Sequence, residues 1–347
     1  MSVRAHSMTI GPSRTDPSGA VTTESYSRYR GRLATITRST PSRNRSRLRR
    51  PCHHRAVRAA VVPRHGGPEV IEIRDDWPDP GPPDAHEVKV TVEAAGVNPS
   101  DWKIRAWGGR MGGGPELPYV AGREAAGTIS AVGADVAELT VGDPVWAYFG
   151  WHSRPGGHCE RLLVAASAVA LRPRSVSVEE AAGVPLAGIT AWQALRMLEI
   201  PAGGRVVVTA GSGGVGHYAV QIAAALGYEV TSTTGPTNQD FVRSLGASRV
   251  VDYHDEEATL DAVKDATHLL DAVGPATIAA YQAVMADGGR VVAVAGLPQD
   301  IRPDITAHGM HAEPIGADMA ELTALMEAGK LHSTLHRVFP RASRRGP

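Results

Sequence analysis

Cysteine is scarce in this chain of 347 residues, which has two, Cys52 and Cys159. Two cysteines cannot build a disulfide framework or a four-cysteine zinc lobe, so a reducing, cytoplasmic setting is expected. Long apolar runs are also lacking, and because no stretch reaches 18 apolar residues, no transmembrane helix is predicted. Hydrophobic residues still make up 42% of the chain, which is enough for the cores of two domains of ordinary size.

Acidic residues are nearly absent from residues 1–55, which hold 12 arginines, no lysine, and only Asp16 and Glu24 as acids. Residues 56–347 carry 24 basic and 34 acidic side chains, a net charge of −10, so this part of the chain is not predicted to bind nucleic acid. Residues 1–55 are rich in Ser, Thr and Arg and have almost no apolar periodicity, which predicts a disordered tail. A transit peptide, a nucleic-acid arm and a dispensable extension are the interpretations, and the last is preferred.

Short strands separated by turns follow this tail. Residues 87–93 alternate strictly between polar and apolar side chains, which is typical of a half-buried strand. Another strand is expected at Val145–Tyr148, after the turn Gly142-Asp143-Pro144, and a further one at Glu160–Val169. The pattern predicts a compact all-β unit over about residues 58–175.

Helical and strand patterns alternate from about residue 178 onward. A helix is expected after Ser177, followed by a second helix over Thr190–Leu198. The strands predicted next are Arg205–Ala210, Tyr228–Thr233, Arg249–Tyr253, His268–Val273 and Arg290–Ala295, with helices at Val215–Leu226, Gln239–Leu245 and Met319–Ala328. Strands and helices in alternation predict a doubly wound parallel sheet, so the fold class is α/β.

A G-x-G-x-x-G motif, Gly211 to Gly216, lies at the junction of a predicted strand and a predicted helix. In this context the motif is typical of a dinucleotide-binding loop. Gly211 would allow the tight turn, Gly213 would let the backbone approach a pyrophosphate, and Gly216 would let the helix pack closely on the strand. The whole loop, Gly211-Ser212-Gly213-Gly214-Val215-Gly216, is therefore expected to hold the cofactor phosphates against the helix N-terminus.

The strand after this loop favours NADP over NAD. An NAD site has an acid that binds the ribose 2′-hydroxyl, but here the corresponding place is Thr231-Ser232-Thr233-Thr234-Gly235. Thr234 and Asn238 could accommodate a 2′-phosphate, and Arg243 is the nearest cation. Asn238 and Arg243 could equally be solvated surface residues.

Several further motifs, taken with this loop, resemble the medium-chain dehydrogenase/reductase superfamily, and within it the zinc-free quinone oxidoreductase (zeta-crystallin-like) group. The motifs are Ala94-Ala95-Gly96-Val97-Asn98-Pro99-Ser100-Asp101, Pro118–Gly127, Val141–Val145, Glu180–Trp192, Asp252-Tyr253 and Asp271–Gly274. The resemblance covers about residues 57–340. It implies a GroES-like domain over 56–175, with 336–347 as a shortened return segment, and a Rossmann domain over 176–335 that binds NADP(H).

No metal is expected. By the resemblance, zinc-dependent relatives have a cysteine at the position of Asn98 and a histidine at that of Arg123, and neither residue here can supply a thiolate or imidazole. His152, His158 and Cys159 lie close enough in sequence to bind adventitious metal, which is the less favoured interpretation.

The resemblance also implies site residues. Asn98, Lys103 and Tyr148 are the candidate catalytic residues, and Trp151 is a candidate pocket wall. The candidate cofactor-binding residues outside the loop are Asn98, Thr190, Thr234, Asn238, Tyr253, Val273, Val294, Ala295 and Gly296. Plainer roles stay open: a turn residue for Asn98, an N-cap for Thr190, a solvated lysine for Lys103, and core packing for Val273 and Val294.

The function expected is NADPH-dependent hydride transfer, without zinc, to a quinone or an α,β-unsaturated carbonyl. There are two alternatives: an enoyl-thioester reductase, and a C-terminally truncated, non-catalytic NADPH-binding protein. The second is considered because the basic segment Arg341–Pro347 stands where relatives continue with a helix and a strand. A small electrophilic substrate is the expected partner, without nucleic acid or membrane. Homodimers are frequent in the resembled group.

Overall fold

The computed structural model describes residues 56–108, 115–150 and 155–340. The predicted tail at 1–55 and the terminal segment 341–347 lie outside the described residues. So do Cys52, Trp151 and His152.

Two antiparallel sheets form the first part of the described chain. Their strands are β1 (Ala56–Val62), β2 (Glu72–Pro78), β3 (Glu87–Ala94), β4 (Tyr119–Val120), β5 (Glu124–Val132), β6 (Pro144–Tyr148), β7 (Arg161–Ala165) and β8 (Val169–Leu171). The larger sheet has the order β7-β3-β5-β6-β8 and the smaller one β2-β1-β4. Alternate residues of β3 and β5 point into one apolar core that includes Val90, Val92 and Ile129.

Two sequence predictions in this part are corrected. The all-β unit contains a helix, α1 (Pro99–Trp107), which starts with proline at its first position and with the Asp101 carboxylate accepting a hydrogen bond from the backbone N–H of Asn98. The strand predicted at Glu160–Val169 is two strands, β7 and β8, because a 3-10 turn at Ala166–Ala168 breaks it. Both features depend on local backbone turns that the apolar pattern does not record.

A six-stranded parallel sheet forms the second part. Its strands are β9 (Arg205–Val208), β10 (Glu229–Thr234), β11 (Arg249–Asp252), β12 (His268–Asp271), β13 (Arg290–Ala293) and β14 (Thr306–Gly309). The helices are α2 (Val178–Ala182), α3 (Pro185–Met197), α4 (Gly216–Ala225), α5 (Gln239–Ser244), α6 (Glu256–Val263), α7 (Pro275–Tyr281) and α8 (Gly316–Glu327). The strand order is β11-β10-β9-β12-β13-β14, so the chain reverses direction across the sheet between β9 and β12. This order and its all-parallel pairing confirm the predicted Rossmann-like sheet.

The two helices after residue 177 differ in how well their starts were predicted. Ser177 caps α2, since its hydroxyl accepts from the N–H of Glu180 while the Glu180 carboxylate accepts from the N–H of Ser177. The next helix, α3, starts at Pro185 rather than at Thr190. Proline fits a first helical position because it lacks the N–H that would be unpaired there.

The segment after α8 is held against α4 by a reciprocal pair of hydrogen bonds. The Gln221 side chain donates to the carbonyl of His332 (3.1 Å) and accepts from its N–H (2.8 Å). Leu331, next to this pair, is buried. None of the helices in the described ranges is both long and apolar enough to span a bilayer.

Candidate active site

The glycine-rich loop joins β9 to α4 and is built on close backbone contacts. A Cβ atom added to Gly216 would lie 2.0 Å from the carbonyl oxygen of Ala210, and one added to Gly211 would lie 2.1 Å from the hydroxyl oxygen of Ser232. Ala210 itself is left-handed, with φ 51°, which turns the chain out of the strand. The sites of Gly211 and Gly216 therefore have no space for a side chain.

A cavity of about 510 Å³ opens beside this loop at the carboxyl ends of β10, β11 and β12. Ligands of open α/β sheets bind at this edge, next to the point where the strand order reverses. The cavity brings together five of the expected cofactor residues, Ser212, Gly213, Thr234, Tyr253 and Val273. The volume of the cavity, and the glycines Gly213 and Gly235 among its lining residues, therefore fit a nucleotide.

The far wall of this cavity was missed by the sequence analysis. It consists of residues from the two helices α6 and α7: Glu256, Thr259, Leu260, Ala276, Thr277, Ala280 and Tyr281. Neither helix was predicted. Pro275 at the first position of α7 and the Asp255 carboxylate that accepts from the N–H of Ala258 were the available helix-start signals.

The end of the cavity next to β10 has few charges among the described residues. Thr234 ends β10, and its hydroxyl lies 2.8 Å from that of Ser212. The Arg243 guanidinium instead donates to Asp240 (2.7 Å) and to Gln239 (2.8 Å) on its own helix, so it is held at the surface. Asn238 ends a 3-10 turn and does not line the cavity.

The turn after β12 is shaped by a buried carboxylate. Asp271 accepts hydrogen bonds from the hydroxyl of Thr209 (2.9 Å) and from the N–H of Gly274 (2.7 Å), and its burial raises its pKa. These bonds leave Val273 exposed at the strand end, with 56% of its surface accessible. Beyond β13, Val294 packs against the core, whereas Ala295 and Gly296 are exposed.

Asn98 is held by a buried glutamate. Its side-chain amide donates to Glu124 (2.5 Å), whose other carboxylate oxygen accepts from the N–H of Leu186 in the first turn of α3 (2.6 Å). Glu124 is 1% exposed, and burial raises its pKa to about 7 although both hydrogen bonds favour the charged form. The Glu124 carboxylate thus connects Asn98 and the start of β5 to the N-terminus of α3. The signal available in the sequence was an acidic residue directly before the small apolar residues Ala125 and Ala126.

Thr190 does not occupy the place expected for it. It lies in the second turn of α3, is buried, and donates its hydroxyl hydrogen to the carbonyl of Leu186 (2.6 Å). Both the helix-start position and the N-cap role are therefore wrong, because the helix begins five residues earlier.

The other two candidate catalytic residues also make structural contacts. The hydroxyl of Tyr148 accepts from the Arg123 guanidinium (3.1 Å) and donates to the carbonyl of Ala312 (3.3 Å), which links the two parts of the fold. The ammonium of Lys103 lies 5.8 Å from the ring centre of exposed Trp102. Asn98, Lys103 and Tyr148 do not line the cavity beside the glycine-rich loop, and they do not line a second cavity near β4 either.

A second cavity, of about 430 Å³, lies in the β-strand domain. Its walls are mainly apolar, with Asp101 and Arg123 as buried charged residues and Tyr119 beside them. Arg123 also donates to the carbonyl of Gly150 (3.2 Å), and its burial lowers its pKa. The cavity could take a small, largely apolar molecule with a polar end.

The donor set near this cavity does not fit a catalytic zinc. Asn98 offers an amide that already contacts Glu124, and Arg123 offers only N–H donors. Across the residues with described positions, no three His, Cys, Asp or Glu side chains cluster closely enough to hold a metal ion.

Family models match most of the described chain. A model of the alcohol dehydrogenase GroES-like domain matches residues 84–197, and a model of zinc-binding dehydrogenases matches residues 214–319. The quinone oxidoreductase of Lama guanicoe is 31% identical over 306 residues, which cover 82% of this chain and 91% of that protein. A chloroplast envelope quinone oxidoreductase homolog of Arabidopsis thaliana is 39% identical over 181 residues, but this match covers only 50% of this chain and 55% of the relative.

Solved structures of the same architecture include three with clear similarity. A quinone oxidoreductase from Coxiella burnetii has a TM-score of 0.73 and 26% identity, covering 82% of this chain and 92% of that chain. A mycobacterial protein complexed with NADPH has a TM-score of 0.68 and 28% identity, covering 80% and 90%. The CurK enoyl reductase has a TM-score of 0.71 and 27% identity, covering 82% and 92%.

Proposed function

The chain belongs to the quinone oxidoreductase group of the medium-chain dehydrogenases and reductases, and we propose that it is an NADPH-dependent, zinc-independent reductase of quinones or α,β-unsaturated carbonyls. An oxidoreductase role follows from the family. The cofactor preference, the acceptor and the independence from zinc are the proposal.

The observation that supports this proposal is the nucleotide-sized cavity at the loop Gly211–Gly216. In addition, Asn98 and Arg123 stand at the two positions where, by the resemblance, zinc-dependent relatives have a cysteine and a histidine. When bound, the reduced nicotinamide supplies a hydride. The loop would hold the pyrophosphate with backbone N–H groups, and Ser212 and Thr234 would border the ribose. Without a Lewis acid to polarise an alcohol or ketone, an acceptor that is already electrophilic is the favoured substrate.

The test is NADPH oxidation with a panel of quinones and enones, followed by the loss of reduced-nicotinamide absorbance, with NADH in parallel. We expect turnover with at least one acceptor and no change on treatment with a chelator or on addition of zinc. NADPH binding without turnover across the panel would instead favour a non-catalytic cofactor-binding protein. Activity lost on chelation and restored by zinc would contradict zinc independence.

Thr234→Asp tests the cofactor preference. The substitution places a carboxylate at the end of β10, where it would repel a 2′-phosphate and accept from a 2′-hydroxyl. We expect the ratio of kcat/KM for NADPH to that for NADH to fall at least about tenfold, or about 1.4 kcal/mol. Thr234→Asn is the uncharged control of the same shape and should leave the ratio near that of the wild type. Equal effects of both variants would show that Thr234 does not border the 2′ position.

An enoyl-thioester reductase is the second candidate, because the CurK enoyl reductase shares the architecture over 92% of its length. The same assay with a short enoyl thioester separates the two. A kcat/KM for the thioester above that for every quinone and simple enone would favour this candidate.

A further inference from the structure

We propose that Asp271 is a positioning residue for the nucleotide, and that it fixes the glycine-rich loop relative to the turn at residues 272–274, which leads into α7. This inference rests on the proposed function, because it concerns the cofactor of the same site. Asp271 is the last residue of β12 and is fully buried. Since none of its surface is accessible, its effect on binding passes through the residues that it holds.

The two carboxylate oxygens of Asp271 hold two different segments. Oδ1 accepts from the hydroxyl of Thr209, directly after β9, at 2.9 Å. Oδ2 accepts from the backbone N–H groups of Val273 (3.2 Å) and Gly274 (2.7 Å). The Thr209 hydroxyl itself accepts from the N–H of Ala272 (2.8 Å), so its hydrogen is free for the carboxylate. All of these partners of Asp271 are donors, which is the pattern that suits an ionised carboxylate.

Both segments that Asp271 holds border the 510 Å³ cavity. Thr209 directly precedes Ala210, which lines the cavity and has the left-handed backbone that starts the glycine-rich loop. Val273 lines the same cavity. Gly274, at φ 134°, is followed directly by α7, which contributes to the far wall. One buried carboxylate therefore connects two parts of the cavity lining that lie 62 residues apart in the sequence.

The side chains of Asp271 and Thr209 continue a connection that the sheet begins. The backbone pairing of β9 with β12 extends to the N–H of Thr209, which donates to the carbonyl of Leu270 (3.0 Å). Beyond this bond the two chains separate into the glycine-rich loop and the turn. A ligand binds more tightly to a site that already has its bound geometry, because less ordering is needed on binding. We infer that this pair of side chains supplies that geometry for the nucleotide.

Asp271→Asn tests the assignment. An amide has one acceptor oxygen, so it can serve either Thr209 or the turn, and its NH2 group then faces a donor at the other position. We expect the Kd for NADPH to rise about tenfold or more, because hydrogen bonds to a charged group are lost. The KM for NADPH should rise in parallel while kcat changes little, since the lost interaction supports ground state and transition state alike.

Asp318→Asn is the matched control. Asp318, in the first turn of α8, is a second buried carboxylate, and it accepts from the side chains of Trp192 (3.2 Å) and Gln193 (2.8 Å) on α3. It does not line the cavity beside the glycine-rich loop. Its substitution should lower Tm, as Asp271→Asn does, but should leave the Kd and KM for NADPH unchanged. A merely structural role for Asp271 would make the two variants behave alike.

Thr209 provides a second pair of variants. Thr209→Val keeps the shape of the side chain but removes the hydroxyl, so it should raise the Kd for NADPH in the same direction as Asp271→Asn. Thr209→Ser keeps the hydroxyl and should retain most of the wild-type affinity. The double variant Thr209→Val/Asp271→Asn should lose less than the product of the two single effects, because both changes break the same connection.

Wild-type NADPH affinity in Asp271→Asn would overturn the assignment, and so would an equal loss of affinity in Asp318→Asn. If Asp271→Asn does not fold, Thr209→Val and Thr209→Ser decide: weaker binding in the first alone supports the assignment, and equal binding contradicts it. A wild-type protein that binds NADPH but reduces no acceptor would refute the proposed activity, while the Kd comparison still decides this inference. A wild-type protein that binds neither NADPH nor NADH would refute both.

Discussion

Gly216→Ala is expected to destabilise the nucleotide-free protein and to weaken NADPH binding at least about tenfold. The added methyl group would lie 2.0 Å from the carbonyl oxygen of Ala210 and 3.0 Å from Cα of Gly211. Both neighbours are backbone, so the contact can be relieved only by moving α4 away from β9. Overpacking of this kind costs about 1–3 kcal/mol or more, which corresponds to a Tm lower by roughly 5 °C.

Gly214→Ala is the matched control in the same loop. A Cβ added there meets no atom within 4 Å, and the backbone is not left-handed. Its Tm should equal or slightly exceed that of the wild type, because alanine restricts the unfolded chain. Thermal unfolding of both nucleotide-free variants and titration with NADPH provide the comparison. Equal Tm values for the two variants would mean that α4 is not packed against the loop as described.

Glu124→Gln is expected to change how stability depends on pH. The pKa of Glu124 is about 7 in the folded protein, against 4.5 for an ordinary glutamate. Between these values the folded state binds a proton that the unfolded state does not, so the contribution of this group to stability decreases as pH rises from about 4.5 to 7. The decrease amounts to about 3 kcal/mol over the window, and the variant should lack it.

The measurement is the free energy of unfolding of wild type and variant at several pH values from 4 to about 8. The variant loses one hydrogen bond to Asn98 or Leu186 at every pH, which adds a constant offset and leaves the slope unaffected. Glu138→Gln, the same change at an exposed side chain of the same domain, should run parallel to the wild type. A constant difference between wild type and Glu124→Gln would show that the carboxyl is not buried in the folded state.

Local sequence predicted much of the part of the fold that contains the parallel sheet. The five strands expected from Arg205 to Ala295 all appear, each ending one or two residues from its predicted end, because buried parallel strands form apolar runs that neighbouring turns delimit. The loop Gly211–Gly216 was placed correctly between a strand and a helix. The edge strand Thr306–Gly309 was missed, since it is short and mostly exposed.

The candidate site was less predictable, because its residues act through partners distant in sequence. The motifs that contain Asp101 and Glu124 were recognised, yet neither residue was singled out. Asn98 was expected beside the cofactor, and its partner Glu124 lies 26 residues away. Thr190 was misplaced because helix propensity alone could not locate the start at Pro185.

The sequence by itself determined the class of this protein: apolar periodicity decides which segments become strands and helices, and glycine spacing decides where a nucleotide can approach the backbone. Only the tertiary structure decided the charge state of its acids. Asp101 and Glu124 have raised pKa values because the folded chain removes them from water, and Arg243 is held away from the nucleotide cavity by Asp240 and Gln239. Burial and electrostatic partnership arise from packing between segments far apart in the chain, which local patterns do not specify.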